Sequence, residues 1–164
     1  MRIGEGGFTY LLLLFAVAAM GLTLAGAGQV WQTVAQRERE EELLFVGHQF
    51  QQAIASYSSS TPGSVKQYPA SLDELTEDRR FPMPRRHLRK LYRDPMTGGV
   101  EWGEVKLAGR IVGVFSLSGS TPLRTVFEPR DAALQGATRY GQWVFGHDAA
   151  AAANAAARAP GTAP

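Results

Sequence analysis

The residues able to do acid–base or metal chemistry are few and widely spaced. The three histidines are His48, His87 and His147, no HExxH pair occurs, and the chain has no cysteine. Transition metals need several such ligands at close spacing. The serines between residues 116 and 120 lie outside any Gly-x-Ser-x-Gly elbow, the turn that exposes a nucleophilic serine. The sequence therefore predicts no catalytic residue, no transition-metal site and no enzyme.

A basic run is the second feature of the sequence that could take part in binding. It comprises Arg79, Arg80, Arg85, Arg86, Arg89, Lys90 and Arg93. Such a patch could bind an acidic neighbouring subunit, lipid headgroups or DNA. The alternative is a solvated short helix that buries Leu88, Leu91 and Tyr92. We favour this alternative, and expect no nucleic-acid partner, because phosphate contacts from a few charges are unspecific and weakened by salt.

An uncharged N-terminal segment is the first structural element that the sequence indicates. No charged side chain occurs from residue 6 to residue 36, and residues 8–28 read FTYLLLLFAVAAMGLTLAGAG. About 20 apolar residues are needed to cross a bilayer as a helix, so the segment predicts a transmembrane helix. The alternative is a secretory signal cleaved after Ala27, which would leave a periplasmic domain that begins at Gly28.

The start of this segment resembles a known processing signal. Gly7 ends a leader of seven residues, and Phe8, Thr9, Tyr10, Leu11 and Leu12 follow it. The stretch is similar to the signal of type IV pilins and type II secretion pseudopilins, in which a prepilin peptidase cuts after the glycine and methylates the new N-terminus. The resemblance implies cleavage after Gly7, N-methylation of Phe8 and an assembly helix that begins with residues 8–12. The family usually has Glu at the fifth mature position, where this chain has Leu12.

The resemblance also implies a location, partners and a function. The chain is expected in the bacterial inner membrane as a single-pass protein with its head in the periplasm. Its expected partners are other pseudopilins, the prepilin peptidase, and an inner-membrane assembly platform with its ATPase. Its expected function is that of a pseudopilin in a periplasmic fibre that supports protein export. The alternatives are a minor pilin of a type IV pilus and a membrane-anchored binding protein that does not polymerise.

The same resemblance raises calcium as a possible ligand, because major pseudopilins often hold this ion in a C-terminal loop. Glu128, Asp131 and Asp148 are the carboxylates available in that region. Calcium needs six or more oxygen ligands, and the spacing of these residues matches no calcium-loop motif. We therefore expect no cofactor and keep calcium as the alternative.

The head is predicted as an α+β fold in which a long helix packs on a small antiparallel sheet of three to four strands, as in pilins. Leu43, Val46, Phe50, Ile54 and Tyr57 repeat at helical spacing, which indicates one buried face. Strands are expected over residues 100–107, 110–118 and 140–146, with a short fourth at 126–127, and the first two are joined by a tight turn at residues 108–109. Ser71 is expected to cap a short helix, with Glu74 completing a capping box.

The predicted organisation has five parts. Residues 1–7 form a leader, 8–28 a transmembrane helix, 29–58 the periplasmic half of the long helix, and 59–146 the head. The Asp94–Pro95 turn is similar to the one that introduces the first strand in major-type pseudopilins. Residues 147–164 are alanine-rich and end in Pro-Gly-Thr-Ala-Pro, which predicts a disordered tail without an apolar face to dock.

Overall fold

One long helix and three short strands form the fold. The computed structural model describes the backbone of residues 6–63 and 65–146, and the side chains of residues 8–21, 31–63 and 65–146. The elements are α1 (Gly6–Ser59), α2 (Asp73–Thr76), β1 (Gly103–Leu107), β2 (Arg110–Phe115), two 3₁₀ helices (Pro129–Leu134 and Tyr140–Gln142) and β3 (Phe145–Gly146). The chain divides into two units, Met1–Glu38 and Arg39–Pro164. We call the first the N-terminal unit and the second the head, which thus includes part of α1 in addition to the predicted head at residues 59–146. The tail predicted over residues 147–164 and the leader residues 1–5 lie outside the described residues.

The part of α1 within the head supplies much of the core. Its predicted apolar stripe is confirmed, since the five side chains are at most 2% exposed: Leu43, Val46, Phe50, Ile54 and Tyr57. They pack with Trp102, Ile111, Val114 and Phe145 from the sheet region. Burying a large apolar side chain contributes about 1.5–3 kcal/mol, so this stripe is a main source of the head's stability.

The sheet is antiparallel, with strand order β1-β2-β3. Gly103 pairs with Phe115 and Leu107 with Arg110, and the register shifts once between Val105 and Lys106. The predicted hairpin turn is confirmed: Ala108 and Gly109 have φ values of 50° and 76°, the left-handed conformation that a tight hairpin requires. The α+β class and a three-stranded sheet are therefore established.

Several local predictions are wrong. Residues 126–127 form no strand, and the backbone N–H groups just before them, at Leu123 and Arg124, donate to a side chain instead of a ladder. Residues 140–146 form a 3₁₀ turn and a two-residue strand. Residues 85–93 form no helix. Ser71 does not cap α2; Glu74 instead accepts from the Ala70 N–H and the Tyr57 hydroxyl.

The predicted single-pass location in the inner membrane, with the head in the periplasm, is not supported. Within the residues described above, no helix combines the length and the apolar character needed to cross a membrane. The side chains of residues 22–30, which complete the predicted span, lie outside the described set.

Candidate functional site

A continuous exposed apolar surface covers the described start of the N-terminal unit. Its large side chains are between 48% and 78% exposed: Phe8, Tyr10, Leu11, Leu12, Leu13, Leu14, Phe15, Val17 and Met20. Because consecutive positions are apolar, every side of the helix is apolar there. Contiguous exposed apolar surface of this kind marks an interaction site. We call residues 8–20 the apolar segment.

The predicted processing residues lie at the start of the same helix. Gly7 and Phe8 fall in the first turn of α1, and the Phe8 side chain is 72% exposed. Leu12 lies one turn further on, four residues after Phe8, and is 59% exposed. The residues predicted for cleavage and for assembly therefore lie within the first two turns of α1.

The basic run does not form one patch, because Arg80 is withdrawn into the head. Its guanidinium donates to both carboxylate oxygens of Asp78, at 2.7–3.1 Å, and to the Tyr57 carbonyl and the Thr61 hydroxyl, both at 2.9 Å. It also stacks 3.5 Å above the centroid of the Tyr57 ring. Arg80 is therefore a structural residue, and its contacts separate it from the other six cations of the possible patch.

Asp78, Arg80 and Tyr57 form a cluster whose pKa values are set by burial and by these hydrogen bonds. Hydrogen bonds from Arg80 lower the pKa of Asp78 to about 2, against the cost of burying a carboxylate that is 1% exposed. The same contact raises the pKa of Arg80. Burial, and then the hydrogen bond to Glu74, raises the pKa of Tyr57. The cluster is thus a charged Asp78–Arg80 pair beside a neutral phenol.

The other six cations of the run are exposed. Arg79 pairs with Glu77 at 3.0 Å, and Arg93 donates to the Gly98 carbonyl at 3.4 Å. Arg85 lies 4.3 Å from the centroid of the Phe81 ring, and Lys90 lies 5.3 Å from that of Tyr92. No ion pair joins Arg85, Arg86, Arg89 or Lys90 to a carboxylate within residues 6–63 and 65–146.

A chain of serine, histidine and aspartate emerges around His87. The Ser56 hydroxyl lies 2.8 Å from Nδ1 of His87, and Nε2 of the same ring lies 3.2 Å from Oδ2 of Asp78. Ser56 lies within α1, where backbone N–H groups are used in helical hydrogen bonds and cannot stabilise an oxyanion. The Asp78 charge is already compensated by Arg80. The arrangement therefore ties residues 78–87 to α1 and lacks the parts of an acyl-transfer site.

The carboxylates considered for calcium are used in other contacts. Oδ1 of Asp131 lies 2.7 Å from Nε2 of His48, and Glu128 pairs with Arg130 at 3.0 Å. Asp148 and His147 lie outside the described residues. In the described part of the chain, no group of three or more His, Cys, Asp or Glu is arranged to hold a metal ion.

Besides Asp78, two buried carboxylates were missed by sequence reasoning. Glu40, 2% exposed, accepts from the backbone N–H groups of Leu123 and Arg124 and from the Tyr140 hydroxyl. Asp94, fully buried, accepts from residues of its own turn and from the Ser116 hydroxyl. The sequence signal for Asp94 was its place before a proline. Glu40 lies in the run of arginine and glutamate over residues 37–42, a pattern typical of a solvated helix surface.

Comparison of the chain with models of protein families, with curated proteins and with solved structures gives no match. The functional interpretation therefore depends on the residues and contacts of this chain.

Proposed function

We propose that the chain is a pseudopilin with a pilin-like fold, which assembles through its N-terminal helix into a fibre that supports protein export by a type II secretion system. The observation that carries the proposal is the apolar segment, which begins at Phe8, directly after the proposed cleavage residue Gly7, and is exposed on every side. Cleavage at that bond would place the apolar segment at the N-terminus of the mature chain.

The exposed area gives a physical reason for assembly. Each square ångström of apolar surface removed from water contributes about 25 cal/mol, so nine large exposed side chains favour association with other apolar surfaces. Helices that are apolar on all sides are normally covered by neighbours. Copies of the same segment, bundled side by side, would cover one another.

The head supports the same proposal. A long helix that supplies the core of a small antiparallel sheet is the arrangement expected of a pilin-like subunit, and the head of this chain has it. Asp94 and Pro95 form the turn between the helical part and β1, closed by hydrogen bonds from Asp94 N–H to the Gly99 carbonyl and from Gly98 N–H to the Asp94 carbonyl. This turn favours a secretion pseudopilin over a type IV minor pilin. The proposed partners are other pseudopilins, the prepilin peptidase, and the assembly platform with its ATPase.

The mature N-terminus tests the proposal. The full chain would be produced in bacteria with and without an active prepilin peptidase, and its N-terminal peptide identified by mass spectrometry. We expect N-methyl-Phe8 only when the peptidase is present, and loss of processing in Gly7→Val but not in the leader control Gly4→Val. Amine cross-linking of the processed chain should then give a ladder of oligomers.

Two results would overturn the proposal. If the chain keeps Met1 in cells whose prepilin peptidase processes a known substrate, the chain is not a substrate of that peptidase. A mature chain that begins at Gly28 would show a secreted domain without the apolar segment. N-methyl-Phe8 with a ladder would leave only the choice between a secretion fibre and a pilus.

A further inference from the structure

An arginine-rich loop, residues 79–86, is held firmly at its base. Asp78 and Arg85 exchange two backbone hydrogen bonds, at 2.8 and 3.2 Å, which close the loop. The buried Asp78 carboxylate also accepts from the Arg80 N–H at 3.0 Å. His87 and Leu88 both donate to the Leu75 carbonyl just beyond the loop. We call residues 79–86 the arginine loop, and its base needs little further ordering on binding.

The arginine loop combines apolar surface at its tip with positive charge at its base. Met83 is 82% exposed between Pro82 and Pro84, whose rings restrict the backbone. Arg85 and Arg86 follow, both exposed and without an ion-pair partner in the described part of the chain. A side chain as apolar as methionine at this exposure, beside unpaired guanidinium groups, suits a partner with an apolar centre and carboxylates around it.

A surface of that composition occurs on the α1 part of the head. Phe45 is 58% exposed, and Glu41 and Glu42 lie four and three residues before it, on the same side of the helix. Both carboxylates are exposed, and neither is in an ion pair with another described residue. We call Glu41, Glu42 and Phe45 the acidic face.

We propose that the arginine loop of one copy binds the acidic face of a second copy, with Met83 against Phe45 and Arg85 or Arg86 beside Glu41 and Glu42. The proposal rests on the assembly proposed above and names a contact between heads. The charges are complementary, and each surface has an apolar centre that its own chain leaves exposed. Complementary charges around an apolar contact set partner choice and register.

The placement of the two surfaces favours an open chain of subunits. They are different surfaces of one head, so a contact made once between two copies, and not twice around a two-fold axis, is heterologous. Heterologous contacts that do not close a ring extend into filaments. The arginine loop is attached near Tyr57 through Arg80, twelve residues along α1 from Phe45. At 1.5 Å per residue, the position on α1 where the arginine loop is attached and the position of Phe45 are about 18 Å apart along the helix. This separation would stagger successive heads.

Paired cysteines test the contact in a chain that has none of its own. The full-length variant Phe45→Cys/Met83→Cys, assembled with the peptidase present, would be treated with a short bis-maleimide. We expect cross-linked dimers and higher oligomers, whereas either single-cysteine variant should give no 45–83 product. The linked peptides would be identified by mass spectrometry.

Charge exchange then tests specificity in the double-cysteine background. Arg86→Glu, or Glu42→Arg, should lower the yield of the 45–83 product about tenfold, because like charges would face each other. Arg86→Glu together with Glu42→Arg should restore it. Lys66→Glu, a reversal at an exposed lysine outside both surfaces, should leave it unchanged.

The outcomes separate this contact from the assembly it rests on. An amine-cross-linked ladder of normal length without any 45–83 product would overturn the contact and leave the proposed function standing. A product confined to dimers would overturn the open, heterologous arrangement. Absence of both the ladder and N-methyl-Phe8 would overturn the proposed function, and the contact with it.

Discussion

The hydroxyl of Tyr140 donates a hydrogen bond of 2.7 Å to Oε1 of Glu40, across one hundred residues of sequence. The same oxygen accepts from the Leu123 N–H at 2.6 Å and the Arg124 N–H at 3.3 Å. One carboxylate on α1 therefore holds a loop and the second 3₁₀ helix, in a region of the chain with little regular structure. Because it is 2% exposed, its partners cannot readily be replaced by water.

Removing the Tyr140 hydroxyl should destabilise the head. We expect Tyr140→Phe to lower the free energy of unfolding by about 1.5–3 kcal/mol, the usual range for a hydrogen bond to a charged group, measured by urea denaturation of the full chain. Tyr92→Phe is the matched control, since the Tyr92 hydroxyl has no hydrogen-bond partner among the described residues. Equal effects of the two substitutions would contradict the role given to Glu40.

Asp94 should be more costly to remove than its partner Ser116. Asp94 accepts from the Met96 N–H at 2.9 Å, the Thr97 hydroxyl at 3.0 Å and the Ser116 hydroxyl at 2.7 Å. Asp94→Ala leaves all three donors unpaired and should cost about 3 kcal/mol or more, whereas Ser116→Ala removes one bond and should cost about 1.5–3 kcal/mol.

The double variant gives a sharper measurement. If the two residues act together, the cost of Asp94→Ala plus Ser116→Ala will fall short of the sum of the single costs by at least about 0.5 kcal/mol. Asp73→Ala, at an exposed carboxylate, should change stability by less than about 0.5 kcal/mol. Strict additivity would mean that the buried hydrogen bond contributes nothing.

Gly47 should not tolerate a methyl group. A Cβ at this position would overlap the ring of Phe145, which is 3% exposed and packed in the core. Alanine normally favours a helix over glycine by about 1 kcal/mol, yet overpacking costs about 1–3 kcal/mol, so Gly47→Ala should be destabilising on balance. Gly119→Ala, where nothing lies within 4 Å of the added atom, is the control. A rise in melting temperature for Gly47→Ala would refute this packing argument.

Stability should fall in acid because of Asp78. Its pKa is about 2 in the folded head, held there by Arg80, and about 3.9 in an unfolded chain. A depressed folded-state pKa adds stability above the unfolded value, which is lost as the pH falls through the folded one. The loss should therefore occur between about pH 4 and pH 2 and amount to about 2.5 kcal/mol.

Urea denaturation across that pH range checks the assignment. Asp78→Asn should flatten the dependence of the unfolding free energy on pH between 4 and 2, while Asp73→Asn should leave it unchanged. An unaltered slope in Asp78→Asn would assign the acid sensitivity to another group.

The amino-acid sequence by itself determined the features that depend on local pattern. The stripe from Leu43 to Tyr57 fixed the buried face of α1, since helical spacing alone aligns those residues. Ala108-Gly109 fixed the hairpin, since few residues adopt left-handed conformations in succession. The processing signal proposed at Gly7 and Phe8 is likewise a local pattern, so it can be tested without knowledge of the fold.

Only the tertiary structure decided which charged residues are buried and paired. The basic run looked uniform in sequence, yet Arg80 lies against Tyr57 and Asp78 while Arg86 stays exposed. Glu40 looked like its solvated neighbours and is bonded to Tyr140. These contacts join segments that are distant in the sequence, and a buried charge is stable only where such partners bind it. No local pattern predicts these contacts, because they are set by the packing of the whole head.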